Sequence, residues 1–160
     1  MALRPSDRED LLAEAVALVK RIELRLPSGE TVVVGFRRGG ELSIYFGADP
    51  VFQFDGQQRL RRAFVGGQLL KAQGGRLVQV ERTREHGRLV LVSQPLSAAQ
   101  SAPLLASAAD RLGQLRAHLS HGQPTIMGQV PPTGDLLAEI VDWLRTLPDP
   151  PMLADRPGIR

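Results

Sequence analysis

Residues 21–30 read Arg21-Ile22-Glu23-Leu24-Arg25-Leu26-Pro27-Ser28-Gly29-Glu30. Charged and apolar residues alternate from Arg21 to Leu26 without a break, the period of a strand with one buried face. Pro27-Ser28-Gly29-Glu30 then supplies turn residues. Downstream the same unit repeats. Val32, Val34 and Phe36 mark one face of a second strand, and Arg38-Gly39-Gly40 turns the chain. Leu42, Ile44 and Phe46 mark a third, ended by Gly47-Ala48-Asp49-Pro50. Val51 to Phe54 is a short strand followed by Asp55-Gly56, a strong turn pair. Further strands are expected at 59–65, 68–73, 76–84 and 88–94, separated by Gly66-Gly67, Gly74-Gly75 and His86-Gly87. Turn signals at intervals of roughly 8–12 residues are the mark of an antiparallel meander.

The flanks read differently. Ser6 and Glu9 match a capping box, and Leu12, Ala15, Val16 and Val19 recur at helical spacing, which predicts a helix over 7–19. Pro95 ends the meander at about residue 94. Ser97 to Ala102 reads as a small-residue linker, and Pro103 suits a first helical position. Leu105, Ala108, Leu112, Leu115 and Leu119 form an apolar stripe, predicting a helix over 103–121 stopped by Gly122. A loop with Pro124, Pro131 and Pro132 follows. Leu137, Ile140, Val141 and Leu144 then predict a helix over 134–146. The Pro-rich segment 148–160 is expected to be an extended or disordered tail. The expected fold is therefore α+β, a single domain over 1–147. It has an N-terminal helix, an antiparallel meander of about seven to eight strands (a curled sheet or barrel-like), and two C-terminal helices.

Composition narrows the function by exclusion. The chain has 160 residues and no cysteine. Disulfides, cysteine–zinc sites, iron–sulfur clusters and thiol nucleophiles are thereby removed. The polar opening residues do not read as a secretory leader, and the apolar runs fall far short of the ~20 residues that span a bilayer. A cytoplasmic protein without membrane contact is expected. There is no GxxxxGK[ST], GxGxxG, HExxH or GxSxG signature. His118 and His121 stand at metal-ligand spacing but lack an evident third ligand, so they read as surface residues near a helix end. Asp49 and Asp55 bracket the short strand, and Asp-Pro and Asp-Gly read as turn pairs rather than as an acid–base couple. No catalytic residue, metal or cofactor is expected.

The net charge is +3. Nearly all of the basic excess is arginine, a bias that GC-rich coding also favours. It is concentrated in 55–88, where Arg59, Arg61, Arg62, Lys71, Arg76, Arg82, Arg84 and Arg88 meet only Asp55, Glu81 and Glu85. If Gly66-Gly67 is a two-residue turn, Val65 pairs with Gln68, Phe64 with Leu69, Ala63 with Leu70, and Arg62 with Lys71. Carried through Gly74-Gly75, the register sets Val78 beside Lys71 and Val80 beside Leu69. One face then carries Leu60, Phe64, Leu69, Val78 and Val80 together with Arg62 and Lys71. Two like charges side by side cost stability unless water, an acid or a bound anion relieves them. Phe36, Tyr45, Phe46, Phe52, Phe54 and Phe64 read mainly as one aromatic core. Tyr45, opposite in parity to Ile44 and Phe46, is the candidate stacking platform for a base.

Three functions compete. The first is a non-catalytic binding module whose basic sheet face contacts nucleic acid or another polyanion. The second is a protein-interaction or assembly domain, a homo-dimer included, using the amphipathic C-terminal helices. The third is a small anionic-ligand barrel or enzyme using Arg62 and Lys71.

Overall fold

The computed structural model describes residues 19–37, 39–121, 124–132 and 135–154. Eight strands follow one another first: β1 (Lys20–Arg25), β2 (Thr31–Phe36), β3 (Leu42–Tyr45), β4 (Val51–Phe54), β5 (Leu60–Val65), β6 (Gln68–Gln73), β7 (Arg76–Glu85) and β8 (Arg88–Pro95). Helix α1 (Ala98–His121), strand β9 (Thr125–Val130) and helix α2 (Leu136–Thr146) complete the order. All nine strands lie in one sheet, ordered β8-β7-β6-β5-β4-β3-β2-β1-β9.

The meander follows from its turns. Gly66-Gly67, Gly74-Gly75 and His86-Gly87 all have positive φ at both positions. Such two-residue turns match the right-handed twist of the strands they join. The β5–β6–β7 register is the one the turns imply, with Arg62 opposite Lys71 and Lys71 opposite Val78.

The expected fold requires two corrections, and a third expectation falls almost wholly outside the described residues. Among the described residues the sheet has nine strands, the eight of the meander and β9, which pairs antiparallel with β1 after the chain has returned through α1. Thr125-Ile126-Met127-Gly128-Gln129-Val130 shows no alternation and is hemmed by Pro124, Pro131 and Pro132, so it reads as a loop. Proline is tolerated there because it flanks an edge strand instead of interrupting a ladder. Second, β8 and β9 are opposite edges and do not pair, so the sheet is open and the barrel is overturned. Third, of the N-terminal helix expected over 7–19 the described residues include only Val19, and residues 7–18 lie outside them. Val19 is not helical, and its N–H donates to the Phe36 carbonyl at 3.1 Å, prolonging the β1–β2 ladder.

Helix α1 starts at Ala98, five residues before Pro103. The cause is a capping box in the small-residue stretch: Ser97 Oγ accepts from the Gln100 N–H at 3.1 Å, and Gln100 Oε1 accepts from the Ser97 N–H at 2.9 Å. Asp135 caps α2 through the Ala138 N–H at 3.1 Å. The apolar stripes of both helices are spent within the molecule. Ala108, Leu112, Leu115 and Leu119 of α1, with Leu136, Ile140 and Leu144 of α2, bury against Ile22, Val34, Ile44, Phe52 and Phe54 of the sheet. Trp143 meets Phe54 edge to face at 5.1 Å, fastening α2 over β4.

The opposite sheet face carries a second, smaller cluster of Tyr45, Val51 and Phe64, with Val33 against it. A bulge separates the two faces at β5. Gln53 pairs with Arg62 while Phe54 pairs with Leu60, so Arg61 is extra and Leu60 turns into the main core. Leu60 therefore does not share a face with Phe64 and Arg62, as uninterrupted alternation implies. Beyond α2, the tail returns to the sheet. The Leu60 N–H donates to Met152 O at 2.7 Å and the Ala154 N–H to Leu60 O at 2.9 Å.

Candidate functional site

The eight basic residues of 55–88 divide by sheet face. Successive strand residues point to opposite faces, and directly paired residues share one. Arg62, Lys71 and Val78 are paired across β5, β6 and β7, so they occupy the face that carries Tyr45 and Phe64. On β7, Arg76, Arg82 and Arg84 have the parity of Val78, opposite Gln73, Leu91 and Leu89. Glu81 and Glu85 have the other parity, and Arg88 pairs with Glu85 on that other face. Five basic register positions on β5–β7 thus share one face with no acidic position on β5–β8. Neighbours in sequence, such as Glu81 and Arg82, take register positions of opposite parity.

The pair that sequence reasoning singles out is half-buried. Arg62 Nε donates to Gln53 Oε1 at 2.7 Å, and Gln53 Nε2 donates to the Tyr45 hydroxyl at 3.4 Å. A neutral amide thus takes one N–H of the Arg62 guanidinium. Gln53 is 2% exposed and Tyr45 1%. Tyr45 therefore presents no ring face to solvent, and it serves the polar chain on this face instead of a stacking platform. Lys71 has no hydrogen bond or ion pair among the described residues. Arg76 and Arg84 are exposed.

The remaining candidates do not converge with these. Arg61, the bulge residue, has Nη1 3.5 Å from Glu41 Oε1. Arg59 lies in the β4–β5 connection, its N–H donating to Asp55 Oδ1 at 3.0 Å. Arg88 is exposed on the other face. Both bracketing aspartates hold turns. Asp55 Oδ1 also accepts from the Gln57 N–H at 2.9 Å, while Asp49 accepts from the N–H groups of Gly66 and Gly67 at 3.0 and 2.9 Å.

Gln53 and Glu41 are the partners that sequence reading misses. The β4–β5 register would reveal Gln53, but the bulge at Arg61 carries no signal in one sequence. A polar cleft of about 360 Å³ also forms where α1 crosses the β1–β2 turn, lined among others by Glu30, Phe46, Arg111 and His118. Arg111 Nη2 donates to Glu30 Oε2 at 2.8 Å, and its guanidinium lies 4.4 Å from the Phe46 ring centroid. Charge and planar face are both engaged within the chain, which makes this a staple between helix and hairpin.

Among the described residues, no group of three or more His, Cys, Asp or Glu side chains is placed to hold a metal ion. No described helix is long and apolar enough to cross a membrane. No protein-family model, curated protein or solved structure matches the chain.

Proposed function

We propose that this protein is a non-catalytic binding module that lays the basic face of β5–β7 along an extended polyanion, with nucleic acid as the class. The observation behind this reading is the segregation of charge by face. Arg62, Lys71, Arg76, Arg82 and Arg84 occupy register positions on one side of the sheet, and both strand glutamates of 55–88 occupy the other. Neighbouring strands are about 4.8 Å apart and alternate residues on a strand about 6.8 Å. Those spacings suit a phosphate backbone tracked across strands. The absence of cysteine fits a reducing cytoplasm, where such partners reside. Two features weigh against the helix-mediated and barrel versions of the other readings: the helix stripes are buried in the core, and the sheet is open.

Fluorescence anisotropy with labelled duplex DNA and single-stranded RNA tests the proposal. Four to five neutralised phosphates predict a fall in affinity of about 100-fold or more between roughly 50 and 200 mM salt. The double variant Lys71→Ala/Arg76→Ala is expected to reduce the slope of log K against log salt by about two. Arg88→Ala, on the other face, leaves the slope nearly unchanged. Salt-independent binding, no binding at low salt, or equal loss in Arg88→Ala defeats the reading.

A further inference from the structure

The sheet has two edges, and they are built differently. At β9, the pairing to β1 shifts register between Glu23 and Leu24, Gly128 lacks a side chain, and prolines stand on both flanks. Those are the ordinary protections of an edge. Strand β8 has none of them along Leu89-Val90-Leu91-Val92-Ser93-Gln94. It is eight residues long, pairs with β7 without a bulge, and carries no charge after Arg88. Leu89, Leu91 and Val92 are 54, 63 and 42% exposed.

The direction of the free main-chain groups follows from one hydrogen bond. The Leu96 N–H donates to Leu77 O at 2.9 Å, one step in register beyond the Val78–Pro95 pair. Hydrogen-bonded and non-bonded pairs alternate along an antiparallel ladder. Arg88, Val90, Val92 and Gln94 therefore bond to β7, while Leu89, Leu91 and Ser93 aim N–H and C=O away from the sheet. Pro95 shares their parity and ends the row with no donor.

We propose that β8 pairs antiparallel with β8 of a second copy, about a two-fold axis through Leu91. In this register Leu91 meets Leu91 of the other copy, Leu89 meets Ser93, and Val90 meets Val92. Every outward-facing residue finds an outward-facing partner, giving six main-chain hydrogen bonds in three reciprocal pairs. Arg88 falls opposite Gln94 rather than another arginine, so the charges on the edge are compatible with self-pairing. The contact is isologous and closes at two copies. Pairing of β8 with β9 is head-to-tail and extends without limit, and the bulge and prolines of β9 oppose it. The dimer is independent of the polyanion reading, although it sets two basic faces edge to edge in one continuous sheet.

Sedimentation over a range of concentrations, in high salt and without nucleic acid, tests the oligomer separately from polyanion binding. A monomer–dimer equilibrium is expected; a monomer throughout, or growth beyond two copies, overturns the proposal. The chain has no cysteine of its own, so single introduced thiols report the register. Leu91→Cys is expected to oxidise to a covalent dimer, because directly paired residues lie within disulfide reach. Leu89→Cys, four positions out of register with its own copy, is expected not to do so. Equal cross-linking by the two overturns the assigned pairing. Leu91→Pro removes only an outward N–H and should leave the β7 ladder intact while abolishing the dimer. Leu91→Lys, which adds an edge charge, serves if the proline variant does not fold. A folded variant of either kind that still dimerises overturns the proposal.

Discussion

Asp49 shows how much one side chain decides in a sheet of short strands. It lies in the β3–β4 connection, yet its carboxylate accepts from the N–H groups of Gly66 and Gly67 in the next hairpin. Type I′ turns leave such donors pointing outward, and a carboxylate bonds them more strongly than water does. The turn that sets the Arg62–Lys71 register is thus held by a residue 17 positions earlier. Asp49→Ala is expected to cost about 1 kcal/mol, the usual worth of a lost cap of this kind. Asp49→Asn, which keeps one acceptor, is expected to cost less. Urea denaturation of both variants checks the order, and an unchanged midpoint in Asp49→Ala would show that the clamp contributes nothing. Among the described residues, the Asp55 side chain engages only nearby N–H groups, so that role can be read from the Asp-Gly pair alone. The role of Asp49 cannot, because its partners are distant in sequence and nothing local names them.

Among the elements, strands with diagnostic turns were the most legible. Glycine pairs dictated the β5–β6–β7 register residue by residue, since a two-residue turn leaves one closing pair. The reading failed at Leu60, where the bulge at Arg61 reverses alternation, and at β9, whose sequence has no period. It also placed the start of α1 at Pro103, because proline is common at a first helical position. The capping box at Ser97-Ala98-Ala99-Gln100 was equally visible in the sequence and outranks that signal: it satisfies two N–H groups reciprocally, whereas proline only lacks one. Pro103 is consequently inside the helix, where the Ala99 carbonyl loses its donor. The cap must offset that defect. Ser97→Ala is therefore expected to destabilise by about 1 kcal/mol and to fray the first turn as far as Pro103. Amide exchange over Ala98–Ala102 reads the fraying directly. Protection there equal to the parent chain would mean that packing of Leu104 and Leu105 fixes the helix start instead.

The whole molecule is an open sheet that its own tail helps to complete. The charge pattern of the candidate face was only half visible in sequence, because a count of neighbouring residues mixes two sheet faces that the fold keeps apart. The Pro-rich tail had no periodic signal at all, yet Pro151 and Ala154 are buried and Leu153 bridges Leu60 in parallel. Its contact lies in the plane of the sheet. The Leu60 carbonyl and N–H both face the tail, and the Gly75 N–H reaches Ala154 O at 3.4 Å. A chain ending at Asp149 loses those main-chain bonds and the cover over Leu60. Two good hydrogen bonds at about 1 kcal/mol each, with partial burial of Leu153 and Ala154, make the expected loss about 2–4 kcal/mol. The urea midpoint should fall accordingly, and the Leu60 amide should become one of the fastest-exchanging strand amides. The tail meets the sheet in its plane, away from the face of Lys71 and Arg76, so the shortened chain should keep its salt-dependent affinity for polyanions while it remains folded. A shortened chain with full stability would mean that the tail rests on β5 without supporting it. One that stays folded but loses polyanion binding would shift the candidate interface from the basic face to the tail.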